Sequence, residues 1–156
     1  IVSMGSSLAA QSHGSYILLI KLPEAQTINI GSLSGIHFPH GYFAYVGSAL
    51  CGIKHRLNRH LKSNKRLHWH IDYLLPKATI TDIIIGETED RIECAIAQAL
   101  SSQFNSIPGF GASDCRCRSH LFLTSEKRQM KSAVVTALEL LAIPPKLSRV
   151  RGHQIF

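Results

Sequence analysis

Apolar positions along this chain recur with two different periods, and each period predicts a different kind of element. Runs of apolar and β-branched residues between glycines and prolines predict strands at 16–22, 27–30, 36–38, 42–46, 79–86 and 119–124. Apolar residues repeated every three or four positions predict helices at 53–63, 71–75, 91–104 and 126–142. Because several strands follow one another without an intervening helix, antiparallel pairing is expected and the fold class is α+β.

Composition predicts one globular domain with less ordered ends. The chain has 156 residues, 45% of them hydrophobic and only 17% charged, which supplies a core and argues against disorder. Small polar residues predict a flexible segment at 1–13, the domain is expected to occupy 14–143, and 144–156 are expected to form a basic tail. Residues 146–151 of that tail are expected to be disordered or to contact phosphates.

The balance of charge indicates an anionic partner. Lys and Arg number 17 against 10 Asp and Glu, which gives a formal net charge of +7. Nucleic acid is the commonest anionic partner of basic proteins, and the alternative is that the charge serves only solubility. No signal peptide or membrane-spanning run is recognisable, so a cytoplasmic protein without a membrane partner is expected. Its native start is expected at Met4 or upstream of Ile1.

A helix rich in cations, predicted at 53–63, carries the first candidate site. Its apolar residues form one stripe, and Arg56 and His60 lie one turn apart beside that stripe. They can therefore reach over the edge of the core into a cleft, where the arginine fork suits a phosphate. The alternative is a solvated basic face. The other cations expected to contact nucleic acid are Lys54, Arg59, Lys62, Lys65, Arg66, Arg116 and Arg118.

Glu93 is the acidic residue with the clearest functional signal. It falls in the same angular sector as the apolar stripe of the helix predicted at 91–104. A carboxylate in that position needs a charged partner, a hydrogen bond or a metal ion. The alternative is a capping box, in which Asp90 caps the helix and Glu93 completes the box three residues later.

A second cluster of ligand-type residues follows the cationic helix. His68 and His70 alternate, so they share one face of an extended chain. Together with Asp72 they could bind a metal ion or a phosphate. The structural alternative is that Trp69 packs while the two histidines cap a helix or form hydrogen bonds.

A third cluster contains residue types found in zinc sites. Cys115, Cys117 and His120 are such types, and Cys94 is the candidate for a fourth ligand. The C-x-C spacing is tighter than the usual C-x₂₋₄-C, which argues against zinc. Asp114 could instead line the metal site of the predicted cleft.

The order of these motifs resembles the GIY-YIG endonuclease superfamily. The chain carries, in sequence, Gly14-Ser15-Tyr16, Tyr45-Val46-Gly47, Arg56-x-x-x-His60 and Glu93. The longer strings YVGSALCG, HRLNRH, HWHIDYL and FGASDCRCRSHLF resemble the Uri-type branch of small stand-alone members. One departure is Ser15, which stands at a packing position where the family has isoleucine.

The resemblance implies a fold and a reaction. The fold is a small central antiparallel sheet with three core strands flanked by helices, to which residues 28–38 add a hairpin. The reaction is the hydrolysis of phosphodiester bonds in nucleic acid, with DNA favoured, at a single site that uses Mg²⁺ or Mn²⁺. Two alternatives are a non-catalytic nucleic-acid-binding module of the same fold and a zinc-stabilised interaction domain.

The resemblance also implies roles for the matched residues. Tyr16 and Tyr45 match the two motif tyrosines, and the second is the better candidate to take a proton from the attacking water. Arg56 matches the arginine that binds the scissile phosphate, and His60 matches its partner one turn later. Glu93 matches the glutamate that holds the metal ion.

Overall fold

A seven-stranded antiparallel sheet forms the centre of the computed structural model, which describes residues 12–49, 52–151 and 154–155. Helices cover both faces of the sheet, so the predicted α+β class is confirmed. In chain order the elements are β1 (Gly14–Leu22), β2 (Gln26–Asn29), β3 (Gly35–Phe38), β4 (Gly41–Ala49), α1 (Ile53–Leu61), α2 (His70–Leu74), β5 (Thr79–Glu87), α3 (Glu93–Ser101), β6 (Asn105–Ser106), β7 (Leu121–Thr124), α4 (Lys127–Leu140), β8 (Pro145–Arg151) and β9 (Gln154–Ile155). The strand order of the sheet is β6-β7-β4-β1-β5-β8-β9, and β2 pairs separately with β3.

Strand β1 lies in the middle of the sheet, and its composition explains that position. Every residue of β1 except Lys21 is buried. The strand pairs with β4 on one side and with β5 on the other, so both of its edges are covered. A strand enclosed in this way needs a continuous apolar run rather than an alternating one.

Alternate residues of β1 support two separate cores, because successive side chains of a strand point to opposite faces. Tyr16 and Leu18 face a layer made by the β2–β3 hairpin, α1 and α2. Ile17 and Leu19 face the opposite layer, in which α3 packs against α4. Tyr45 of β4 belongs to the same layer as Tyr16, so both motif tyrosines lie on the α1 face of the sheet.

The sheet is larger than the three core strands predicted, and the C-terminal segment is one reason. The expected tail at 144–156 is wrong for Pro145–Arg151, which form β8 and pair along β5. Val150 of this strand is buried, whereas Leu147 is exposed. Because β5 is rich in isoleucine and would otherwise present an open edge, β8 gives it the cover that natural sheets use.

The predicted helices are all present, with boundaries that differ by a few residues. Helix α1 ends at Leu61 rather than 63, and α3 spans Glu93–Ser101 rather than 91–104. Of the flexible segment expected at 1–13, residues 1–11 lie outside the described residues. The carbonyls of the next two residues accept hydrogen bonds from the amides of Ile53 and Thr88. No helix in the described part of the chain is long and apolar enough to cross a membrane.

Gly47 is required by the close approach of Tyr16, its register partner on β1. A β-carbon added at Gly47 would lie 2.4 Å from Cζ of Tyr16. We therefore expect Gly47→Ala to lower the free energy of unfolding by about 1–3 kcal/mol, the usual effect of overpacking a core. Chemical denaturation measures the change.

The matched control is Gly35→Ala on β3. A β-carbon there would lie 3.5 Å from Cγ2 of Thr27, an ordinary van der Waals contact. The control should be close to wild type in stability. Equal unfolding midpoints for the two variants would contradict the proposed clash with Tyr16.

Candidate active site

A cleft of about 330 Å³ lies where the C-terminal end of β4 meets α1, the segment before α2, the first turn of α3 and the loop before β7. We call it the β4–α3 cleft. The residues singled out from the sequence that line it are Tyr45, Arg56, His68, His70, Glu93, Cys94, Asp114, Cys115 and His120. The fold therefore brings together groups from five separate segments of the chain.

A larger groove of about 450 Å³ lies beside the C-terminal end of α1. Of the candidate catalytic residues, only His60 lines that groove. Its one acid, Asp72, has both carboxylate oxygens hydrogen-bonded to the guanidinium of Arg59. The smaller β4–α3 cleft holds the cation Arg56 and the acid Glu93, and among the described residues Glu93 forms no ion pair of the kind that Asp72 forms with Arg59. We therefore assign the candidate active site to this cleft.

Glu93 opens α3 without the capping box that the sequence allowed. The N-cap residue is Ile92, whose side chain makes no cap hydrogen bond. Asp90 is not the N-cap residue, and its amide donates a hydrogen bond to the hydroxyl of Thr88. The capping-box alternative is therefore wrong, and the position of Glu93 needs another explanation.

One carboxylate oxygen of Glu93, Oε2, is shielded from solvent and has no hydrogen-bond partner among the described residues. An unpaired buried polar atom costs about 1–3 kcal/mol, and more when it is charged, so native structures rarely keep one without a reason. The peptide dipoles of the first turn of α3 favour a negative charge at this position. Glu93 lines the β4–α3 cleft, and a carboxylate is the ligand type that a hard divalent cation such as Mg²⁺ or Mn²⁺ prefers.

Arg56 is oriented by stacking on an indole. Its guanidinium carbon lies 4.2 Å from the ring centroid of Trp69, and that of Arg59 lies 4.1 Å from the same centroid. Asp72 fixes this arrangement, since it binds Arg59 at 2.7 Å and 2.8 Å and accepts the amides of His68 and Trp69 at 2.9 Å. Arg59 was predicted to contact nucleic acid, but its guanidinium is held by Asp72. Arg56 thus keeps its place in the cleft through Trp69.

The pKa of Asp72 reflects the same network. Burial raises the pKa of this carboxyl. The hydrogen bonds from Arg59 and from two backbone amides lower the pKa by more than burial raises it, so the net pKa lies below its usual value. The carboxylate is therefore ionised and fully hydrogen-bonded. Asp72 has a structural role in place of the ligand role considered from the sequence.

Tyr16 and His60 form a buried pair behind the cleft. The hydroxyl of Tyr16 and Nε2 of His60 are hydrogen-bonded at 2.6 Å, and His60 is only 3% exposed. The prediction that His60 reaches into the cleft is therefore wrong, because its ring turns toward the core. The ring of His60 instead packs edge-on against that of Tyr45, with 6.2 Å between centroids.

Tyr45 is the motif tyrosine that lines the cleft. Burial raises the pKa of its hydroxyl to about 12, while the positive charge of Arg56 opposes that rise. Tyr16 has a pKa well above its ordinary value, again because it is buried. Both hydroxyls are therefore protonated at neutral pH, and any loss of the Tyr45 proton requires added positive charge in the cleft.

The burial of His60 predicts a pH-dependent stability. Burial lowers its pKa to about 3, whereas an unfolded histidine titrates near 6.5. Between these two pKa values only the unfolded chain binds the proton. The contribution of His60 to the free energy of unfolding is therefore fully present above the unfolded pKa and is lost as the pH falls below it. We expect this residue alone to contribute a slope of about 1.4 kcal/mol per pH unit. Urea denaturation between pH 6.5 and 5 should show a shallower slope for His60→Gln, and parallel slopes would contradict this.

The remaining predicted residues divide between structural and exposed positions. Nδ1 of His70 accepts the amide of Gly111 at 2.9 Å, which ties α2 to the loop before β7. Lys65 donates to the carbonyls of Arg59 and His60 and so caps the end of α1. Lys54 is half-buried, and the exposed residues of the predicted set are Lys62, Arg66, His68, Asp114, Arg116 and Arg118.

The third cluster assembles beside the cleft. One ligand atom each from Cys94, Cys115, Cys117 and His120 lies within 4.8 Å of every other. Three of these residues also line the β4–α3 cleft, and the fourth, Cys117, packs against the core on the α3 face. The remaining cysteine of the chain, Cys51, lies outside the described residues.

Comparison with known proteins yields one family match. Residues 15–143 match the model of a family described as a domain of unknown function, DUF123. The chain belongs to the DUF123 family. The matched residues include every member of the β4–α3 cleft. No curated protein and no solved structure matches the chain.

Sequence reasoning missed several residues that shape the cleft of this DUF123 domain. Ser48, Arg91 and Gly111 line it, but no role was predicted for them from the sequence. Trp69 was considered only for packing, yet it orients Arg56. Its signal in the sequence was that the single tryptophan of the chain stands between two histidines and follows the cationic helix.

Proposed function

We propose that this protein is a metal-dependent endonuclease of the GIY-YIG type, which hydrolyses phosphodiester bonds of nucleic acid in the β4–α3 cleft. The observation that carries the proposal is the unpaired, buried Oε2 of Glu93 in the same cleft as Arg56 and Tyr45. Phosphodiester hydrolysis needs a cation for the phosphate, a base for water and stabilisation of the leaving oxygen. The three residues supply groups suited to these tasks.

Arg56 binds the scissile phosphate. Its fork can donate two hydrogen bonds to non-bridging oxygens. Because the guanidinium already stacks on Trp69, less side-chain conformational entropy is lost when the phosphate binds. Because charge grows on the phosphate in the transition state, an oriented guanidinium stabilises that state more than the ground state.

Tyr45, once it has lost its own proton to solvent, would take the proton of the attacking water as a phenolate. Its pKa of about 12 is too high for this role on its own, although Arg56 already opposes the rise. Glu93 would hold Mg²⁺ or Mn²⁺ together with water ligands, and the bound cation supplies positive charge to the cleft. His60 and Tyr16 act as positioning residues, since their hydrogen bond fixes the imidazole against which Tyr45 packs.

The proposed substrate is nucleic acid, with DNA favoured over RNA. The net charge of +7 suits a polyanion, and the exposed cations Lys62, Arg66, Arg116 and Arg118 are available to its phosphates. The described cysteines form no disulfide, which fits a reducing compartment, so we place the enzyme in the cytoplasm.

A cleavage panel tests the proposal. Purified protein is incubated with labelled single-stranded, duplex and branched DNA and with RNA, in Mg²⁺, Mn²⁺ or EDTA. We expect internal cleavage of at least one DNA substrate in either metal and none in EDTA. Binding of these substrates without cleavage in any metal would favour the non-catalytic alternative.

Binding should be mainly electrostatic and independent of sequence. Each phosphate contact releases counterions, so the logarithm of the affinity is expected to fall linearly with the logarithm of the salt concentration. Fluorescence anisotropy with two DNA duplexes of unrelated sequence measures both slopes. An affinity that does not change with salt, or that differs greatly between the duplexes, would contradict this expectation.

A further inference from the structure

We propose that Cys94, Cys115, Cys117 and His120, here called the cysteine cluster, bind one zinc ion as a structural site. The inference rests on the geometry of these four residues and does not depend on nuclease activity. Thiolate sulfur and imidazole nitrogen are the ligands that zinc prefers, and three cysteines with one histidine are a common structural set. The cluster thus has the right ligand types in the right number.

The distances within the cluster match a tetrahedral zinc site. With Zn–S of ≈ 2.3 Å and Zn–N of ≈ 2.0–2.1 Å, tetrahedral sulfur and nitrogen ligands lie roughly 3.6 Å apart. Nε2 of His120 lies 3.4 Å from Sγ of Cys115 and 3.9 Å from Sγ of Cys94. All four ligand atoms lie within 4.8 Å of one another. Only small movements are therefore needed to enclose the ion.

His120 is oriented so that Nε2 is the ligand atom. Its Nδ1 lies 3.1 Å from the carbonyl oxygen of Val46, a distance at which Nδ1–H donates to that oxygen. A hydrogen bond from the other ring nitrogen to a backbone carbonyl is the usual support of a metal-binding histidine. The backbone is also fixed, because the His120 amide donates to Phe110 and its carbonyl accepts the Val46 amide.

The ligands come from two separate segments of the chain. Cys94 lies in the first turn of α3, while the other three ligands lie in the loop between β6 and β7. That loop turns at Gly109 and Gly111, whose positive φ angles of 76° and 67° favour glycine. A metal ion that ties such a loop to a helix stabilises the fold, and four protein ligands leave no open position for a substrate.

The proposed zinc site would also order one wall of the β4–α3 cleft. Glu93 precedes Cys94, and Asp114 precedes Cys115, so two acids of the cleft are adjacent to zinc ligands. Arg116 and Arg118 alternate with the loop cysteines and are exposed. Zinc would therefore fix the direction of both acids and present two arginines at the surface.

Metal content and coordination of the wild-type protein test the inference directly. The protein is purified without a polyhistidine tag, under reducing conditions, and analysed by mass spectrometry for metals and by X-ray absorption. We expect one zinc ion per chain, with three sulfur ligands at ≈ 2.3 Å and one nitrogen ligand at ≈ 2.0–2.1 Å. Absence of zinc after reconstitution with Zn²⁺, iron in its place, or a disulfide within the cluster would overturn it.

Variants separate this site from the proposed active site. Cys117→Ser and His120→Asn should each lose zinc, and Cys117→Ser should unfold at lower temperature, whereas Glu93→Gln should keep zinc in full. If a ligand variant fails to fold, Co²⁺ substitution in the wild type still reports thiolate coordination through its charge-transfer absorption. Full zinc content in both ligand variants would refute the assignment, whatever the cleavage panel shows.

Discussion

Glu93→Gln is expected to abolish cleavage while nucleic-acid binding stays intact. The amide keeps the shape of the side chain but cannot hold a divalent cation as a carboxylate does. We expect a loss of at least roughly 10²–10³ in single-turnover rate, the effect of removing one electrostatic stabiliser. Because the change removes a negative charge near a polyanion, affinity should be unchanged or higher.

The matched control is Glu89→Gln, an exposed glutamate in the same connection between β5 and α3. It makes the same chemical change outside the cleft and should cleave at the wild-type rate. Full activity of Glu93→Gln at saturating Mg²⁺, and again with Mn²⁺, would contradict the assignment of Glu93 as a metal ligand.

Arg56→Ala is expected to lower the cleavage rate much more than the affinity for nucleic acid. A simple binding defect would instead lower mainly the affinity. Removal of the guanidinium should lower the cleavage rate by roughly 10²–10³, because it acts on charge that develops in the transition state. Affinity should fall only slightly, since Arg56 would be one of many cations that contact phosphates of the proposed substrate. Single-turnover cleavage and anisotropy measure the two quantities separately.

Arg128→Ala provides the matched control for Arg56→Ala. Arg128 is an exposed residue of α4, which packs on the opposite face of the sheet from α1. The control should change neither quantity. A large loss of affinity in Arg56→Ala with an unchanged rate at saturating protein would show that Arg56 serves binding alone.

Local periodicity predicted most of the elements, because the alternation of buried and exposed positions in a strand or helix determines which neighbouring residues are apolar. The continuous apolar run of β1 and the repeats of α1 and α4 are such patterns. β8 was not predicted because its cations and its proline are typical of a basic tail. It becomes a strand only through its pairing with β5, a contact between distant segments that local sequence does not encode.

The candidate site was predictable where residue chemistry is unusual for its position. Arg56 was predicted beside an apolar stripe and Glu93 within one, and the structure places both in one cleft. The pairing of Arg59 with Asp72 could not be predicted, since both looked available until the fold brought them to 2.7 Å. His60 likewise turns to Tyr16, which is distant in sequence.

The cysteine cluster also depends on a contact between segments that local sequence patterns do not predict. The spacing of Cys115 and Cys117 alone argued against zinc, because it differs from the usual motif. The helix that carries Cys94 packs beside the loop, and this tertiary contact supplies the ligand that the motif lacks. Spacing rules for metal sites describe local loops, so they do not detect a site whose ligands are far apart in sequence.

Anomalous scattering from Mn²⁺ shows whether Glu93 holds a divalent metal ion in the β4–α3 cleft. Crystals soaked in Mn²⁺ are measured above the manganese edge and below the zinc edge, so that zinc in the cysteine cluster contributes little. We expect a peak at roughly 2.0–2.2 Å from a carboxylate oxygen of Glu93 in the β4–α3 cleft, as for a hard divalent cation. The peak should disappear in Glu93→Gln. A map without a peak beside Glu93, or the same peak in the variant, would contradict the proposal that Glu93 holds the catalytic metal ion.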